Sequence, residues 1–448
     1  MNWDLGSYFP EYGGPEMKEF KKKLKADIAS VQKKAAALPS LGADNMAEWE
    51  DIVLEAEDIM SRYSHIDSYI GCLASADGLN EDYVREEGEM SAMHAELSKL
   101  KVELIRAMKG VPEEVFSRFT EREKLSDAAY YIGRLRILSE RSMNPDKEIL
   151  ASDLGVDGIS AWGRLYDTVS SRLEFEMKYP DGTVKTLPIS QRRSLMEKPE
   201  RDIRKAAFEG GNRAWKTIED TAAAALNAIS GTRLTLNRYR GIDHFLDVAL
   251  YQSGISRKTL DAMFEAIYDE IELPKDILRF KAQTMGRKQI AWYDLGAPLD
   301  IESGQKLSWP DARKESRIFM TYNETLGDVL TLAHEAGHAF HSHVMSDIRP
   351  YSHFYPMTLA ESASTFGEMI LTEGILREPS IGDTEKALML DTEINHGAIY
   401  LMDIPVRYEF EKAFYEERQE GEVSVSRLKE LMAETQRRVF GDVLEEGG

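Results

Sequence analysis

Two histidines four residues apart, in His334-Glu335-Ala336-Gly337-His338, are the residues of this chain best placed to do chemistry. On an α-helix, positions i and i+4 stand one above the other with Cβ atoms about 5–6 Å apart, so both imidazoles can close on one ion. That spacing is half of a zinc site. Glu335 is rotated off the line joining the histidines but stays beside it, where a carboxylate acts as general base on a water that the metal polarises instead of binding the metal. Of the nine histidines, His334, His338, His341, His343, His353 and His396 fall between residues 334 and 396, which favours metal or proton chemistry in this stretch over scattered surface positions.

The elements that must carry these groups can be read next. Thr325 to Val344 has the apolar spacing of one helix, through Val329, Leu332, Ala333, Ala336 and Phe340, with Asn323 or Thr325 as its N-cap. Gly337 costs about 1 kcal/mol against alanine inside a helix, so its presence there points to another backbone packed against it. A second helix after Pro356 puts Glu361, Ser364 or Thr365, and Glu368 along one face. Glu361 is the candidate third ligand, although Thr358 and Glu361 also have capping-box spacing, which needs no metal. Glu368, two turns on, suits an outer position that orients a ligand histidine through its other ring nitrogen. His341 lies seven residues beyond His334, about 10 Å along the axis, too far to share the ion, and is assigned to the cleft lining. His343 and His353 have no comparable geometry and read as solvated.

The rest of the chain sets the frame. Its 448 residues, 42% hydrophobic, can fill the core of one large helical body or of two or three domains. The formal charge of −22 disfavours nucleic acid and anionic membranes as partners. A single cysteine, Cys72, fits a reducing compartment; with no basic and apolar leader at Met1-Asn2-Trp3-Asp4-Leu5 and no run of about 20 apolar residues, a cytoplasmic location is expected. Met17, Phe20, Leu24, Ile28 and Val31 trace an amphipathic helix, and similar stretches continue to about residue 170. Leu173, Phe175, Met177 and Tyr179 alternate with charged residues up to the turn Pro180-Asp181-Gly182, which predicts a hairpin over about 173–187. A boundary is therefore expected near residues 188–200, between an N-terminal helical domain (1–190) and a catalytic domain (191–448).

With Arg317-Ile318-Phe319-Met320-Thr321-Tyr322-Asn323 leading into Asp328-Val329-Leu330-Thr331-Leu332-Ala333-His334-Glu335-Ala336-Gly337-His338-Ala339-Phe340-His341, followed by Ala360-Glu361-Ser362-Ala363-Ser364-Thr365-Phe366-Gly367-Glu368, the chain resembles the M3 family of zinc metallopeptidases, and within it the oligoendopeptidase F branch. Weaker similarity runs from Trp3-Asp4-Leu5 through Arg238-Tyr239-Arg240-Gly241 to Arg407-Tyr408-Glu409-Phe410. The resemblance implies a mainly helical zincin-type metallopeptidase with a deep substrate channel and a short sheet near the active site, hydrolysing internal bonds of short peptides. It carries over His334, His338 and Glu361 as ligands of one Zn2+ per chain and Glu335 as base and proton shuttle. The extended stretch Ile318 to Tyr322 would pair with the bound peptide, placing Tyr322 in the cleft.

Two departures from the family stand out. The family continues beyond the position of Gly448 through an aromatic segment whose tyrosines and histidine stabilise the tetrahedral intermediate, and it carries a longer stretch between Trp292-Tyr293-Asp294 and Arg317. Without such donors, each worth roughly 10²–10³ in rate, a homologue that binds zinc and peptide without cleaving is one alternative. His396 and Tyr400 are the nearest donors in sequence, and neither is assigned that role here. The other alternative is a zinc carboxypeptidase of the M32 kind, which has a similar metal motif.

Overall fold

The computed structural model describes residues 4–77, 80–297, 318 and 326–445. Apart from short 3-10 turns, one hairpin and an isolated β-bridge between Ile290 and Leu444, the secondary structure of these residues is α-helical, as the mainly helical reading expects. The chain divides into two compact units.

The first unit comprises residues 1–161, with 235–244 and 343–355 returning to it. Its helices Pro15–Ala37, Met46–Ala76 and Glu81–Met108 pack against one another, each burying one stripe. Met17, Leu24, Ile28 and Val31 are the buried positions expected of the first helix, and they meet Trp49, Ile59, Ile66, Ile70 and Leu100. Arg106 holds the end of that first helix by donating from Nη2 to the carbonyls of Ala35 at 2.8 Å and Leu38 at 3.0 Å, where a cation also complements the helix dipole. The returning segments are tied by charge. Arg240 donates to both oxygens of Glu148, at 3.0 and 2.6 Å, while buried Glu57 takes Arg349 and the backbone N–H of Tyr351.

The second unit comprises residues 162–234, 245–342 and 356–448. Its hairpin pairs Glu174–Lys178 antiparallel with Val184–Pro188, and Gly182 at the turn has φ 86°, a left-handed value that glycine adopts without steric cost. Phe175 and Met177 are buried and Glu174, Glu176 and Lys178 exposed, the alternation expected of a half-buried strand. The strand packs on helix Arg201–Lys216, where a Cβ at Gly210 would lie 2.6 Å from the carbonyl oxygen of Glu176.

This packing moves the division foreseen at residue 190. The hairpin's apolar face needs Ala207 and Ala214 to cover it, so it groups with the second unit, and the first unit's contiguous part ends at Ala161. The returns at 235–244 and 343–355 rest on contacts far apart in sequence, which local periodicity does not record.

The long helix Asp383–Arg418 is the spine of the second unit. One of its faces, with Met402 and Val406, packs against helices Glu272–Thr284 and Val425–Phe440. Beneath them Lys281, 3% exposed, donates from Nζ to the Leu295 carbonyl at 2.6 Å and to Asn395 Oδ1 at 2.7 Å. Fully buried Asp294 accepts from Arg201 and Arg204, each at 2.9 Å. Such groups are stable without water only because each charge has a partner.

Candidate metal centre

Helix Leu326–Val344 carries His334 and His338, and helix Met357–Arg377 carries Glu361 and Glu368. The helices cross at two glycines. A Cβ on Gly337 would lie 2.5 Å from the Ala363 carbonyl oxygen and 2.7 Å from Ser364 Cα, and one on Gly367 would lie 2.6 Å from the Ala333 carbonyl oxygen. Real side chains do not tolerate such contacts, so only glycine lets the backbones approach this closely. The packing inferred at Gly337 is thus present, and its counterpart Gly367 was missed. The available signal was the pair of small residues four apart on each helix, Ala333 with Gly337 and Ala363 with Gly367, which makes one smooth strip per helix.

At this distance the side chains converge. Glu361 Oε2 lies 3.2 Å from His334 Nε2 and 3.5 Å from His338 Nε2, and the two imidazoles stand nearly perpendicular, 86° apart, with centroids at 4.9 Å. The candidate ligand atoms of the three residues all lie within 4.8 Å of one another. Ligands held tetrahedrally at about 2.0–2.2 Å are separated by roughly 3.3–3.6 Å, so both nitrogen–oxygen spacings suit a shared ion. Two neutral imidazoles and a carboxylate are the donor set of a catalytic zinc site with one position left open.

The surroundings suit the same purpose. His334 Nδ1 donates to Glu368 Oε1 at 2.5 Å, which fixes the tautomer and turns the Nε2 lone pair toward the shared point. Ser364, fully buried, has its hydroxyl 2.8 Å from Glu361 Oε2 and 2.9 Å from the Glu361 carbonyl, which anchors that carboxylate. The capping alternative for Glu361 is not realised: the N-cap residue is Pro356, and the Thr358 hydroxyl donates instead to the Ser253 carbonyl at 3.1 Å. Glu335, one residue after His334, is half-buried, and nothing among the described residues pairs with it.

The other candidates fall elsewhere. His341 is half-buried on the same helix and outside the three-residue cluster. His343 is exposed, and exposed His353 closes a turn through Nε2, 3.1 Å from the Met345 carbonyl and 3.2 Å from that of Ile348. Tyr322, the stretch Phe319 to Tyr322 and the caps Asn323 and Thr325 lie outside the described residues.

His396 and Tyr400 sit on the long helix with ring centroids 6.0 Å apart. Burial pushes the His396 imidazole down from its ordinary value, against the carboxylates of Glu393 and Glu368. Burial first and Glu368 next push the Tyr400 phenol up. Both rings therefore lie within electrostatic reach of the carboxylate that holds His334.

Residues 304–447 match peptidase family M3, and residues 108–175 match oligopeptidase F. An oligoendopeptidase F homolog of Lactococcus lactis subsp. lactis is 25% identical over 367 residues, 70% of this chain and 60% of that protein. Oligopeptidase PepF of Bacillus subtilis is 21% identical over 468 residues, 89% of this chain and 67% of that one. The chain thus spans about 60% of the length of the Lactococcus relative. The crystal structure of oligoendopeptidase-F from Enterococcus faecium superposes with a TM-score of 0.74 at 18% identity, over 96% of this chain and 81% of that one. PZ peptidase A superposes at 0.71 and 15% identity, over 95% and 80%, so the fold is shared with both.

Proposed function

We propose that the chain, whose residues 304–447 match peptidase family M3, is a zinc-dependent oligoendopeptidase, hydrolysing internal bonds of short peptides. The observation that carries the proposal is the convergence of His334, His338 and Glu361 beside a Glu335 that nothing among the described residues engages.

In this reading His334, His338 and Glu361 would hold the ion, with Glu368 and Ser364 fixing the orientation of His334 and Glu361. Zinc, when bound, would supply Lewis acidity toward the scissile carbonyl and toward a water, enough for that water to ionise near neutral pH. Glu335 takes the proton of the attacking water and returns it to the leaving amine, the one carboxyl serving as base and then as acid. No described helix is long and apolar enough to cross a membrane. The single cysteine and the charge of −22 support a cytoplasmic protein with peptides, not nucleic acid, as partners. The carboxypeptidase alternative has no observation in its favour.

Wild-type protein and Glu335→Gln, both assayed for zinc content and for cleavage of an internally quenched peptide with blocked ends, test the proposal. One zinc in each with cleavage by the wild type alone is the expected result. Zinc in both and cleavage by neither would make the chain a peptide-binding homologue without catalysis. Absence of zinc would overturn the site itself.

A further inference from the structure

Helices Met357–Arg377 and Asp383–Arg418 are joined by the short loop 378–382 and run antiparallel, and they touch through Thr372, whose hydroxyl donates to Glu393 Oε1 at 2.7 Å. That bond sets the register of the pair. Moving one way from it, Glu368 on the first helix lies opposite His396 and Gly397 on the second; another turn brings Thr365 opposite Tyr400, and Glu361 then faces Ile404.

Burial along this seam changes in one direction. Thr372, Glu393, Glu368 and His396 are half-buried, whereas Thr365 is exposed, Tyr400 is 52% exposed and Ile404 51%. Tyr400 lies seven residues from Glu393, nearly the same direction around the helix, and so points to the side where the neighbouring helix should cover it. Its exposure means that the helices part there. The result is an open stretch of the seam, with Tyr400 opposite exposed Thr365 and Glu361 one turn further along, opposite Ile404. The phenol hydroxyl has no hydrogen-bond partner among the described residues, and its ring lies against that of His396.

We propose that Tyr400 is a substrate-contacting residue, its hydroxyl donating a hydrogen bond to a backbone carbonyl of a peptide lying in this opening beside Glu361. The inference rests on the peptidase reading and adds to it a residue on a third helix, outside the metal motifs. An extended peptide exposes carbonyls along its length, so a single fixed donor serves it whatever the side chains. Burial and Glu368 hold the phenol protonated through neutral pH, so it remains a donor.

Binding of a fluorescein-labelled peptide with blocked ends, followed by anisotropy on zinc-loaded Glu335→Gln protein with and without Tyr400→Phe, tests this. One lost hydrogen bond lowers affinity by about 3–10-fold. The expected result is that weakening, with zinc content and thermal midpoint unchanged. Equal affinity in both proteins would overturn the inference and leave the peptidase reading intact. A fall in zinc content or thermal midpoint on Tyr400→Phe would make the hydroxyl structural and overturn it as well. Failure of zinc-loaded Glu335→Gln itself to bind peptide would overturn the peptidase reading and this inference with it.

Discussion

Gly337 and Gly367 face each other across the two helices of the candidate metal centre, with room for a Cβ on neither: Gly337 meets Ala363 and Ser364, and Gly367 meets Ala333 and Gly337 itself. The reach of Glu361 to both imidazoles depends on this approach. Gly337→Ala and Gly367→Ala force the backbones apart, at about 1–3 kcal/mol for overpacking against at most about 1 kcal/mol gained in helix propensity. Both variants should melt lower and bind zinc at least tenfold more weakly in chelator competition. Gly374→Ala on the same helix, where a Cβ meets nothing within 4 Å, should be neutral or slightly stabilising. Equal losses at all three positions would mean that the close approach is not what matters.

Glu368 touches the proposed ion only through His334. Replacing it with alanine leaves the Nδ1 proton without its acceptor and the imidazole free to turn or change tautomer. A loss of about 10–100-fold in zinc affinity is expected, with Glu368→Gln intermediate. Zinc binding by Glu368→Ala as tight as that of the wild type would refute the orienting role.

Asp294 is fully buried between Arg201 and Arg204, and Arg204 is only 2% exposed. Asp294→Ala would strand buried guanidinium charge, at about 3–5 kcal/mol. The thermal midpoint should fall sharply. A change of a degree or two would show that water or another group replaces the carboxylate.

Lys281 gives stability a pH dependence of definite sign. Burial lowers its pKa from 10.5 to about 8, Arg204 acting in the same direction while Asp391 and Asp294 oppose it. Between those values the unfolded chain holds the proton and the folded chain does not, so this residue makes stability rise as pH increases through 8 toward 10.5. The slope has an upper limit of about 1.36 kcal/mol per unit, and below pH 8 the contribution is flat. Denaturation at pH 7.5, 8.5 and 9.5 should show the rise in the wild type and a flatter profile in Lys281→Met. Identical slopes would exclude Lys281 as the source.

What the sequence determined by itself is local. A helix of 3.6 residues per turn stacks His334 on His338 wherever that helix lies, and strand alternation buries Phe175 and Met177 while Glu176 stays out. The glycine cost at Gly337 even announced a close neighbour. What only the tertiary structure decided is which groups from distant positions meet. Whether Glu361 caps its helix or faces the histidines, where Glu368 finds an acceptorless ring N–H, and which unit takes the hairpin all depend on helix crossings and on the surfaces available to cover each apolar face. The placement of Tyr400 at the parting of two helices is of the same kind. A helix's own hydrogen bonds set its geometry within a turn or two, but its position relative to a helix 30 residues away follows from steric fit over the whole contact, which no short spacing encodes.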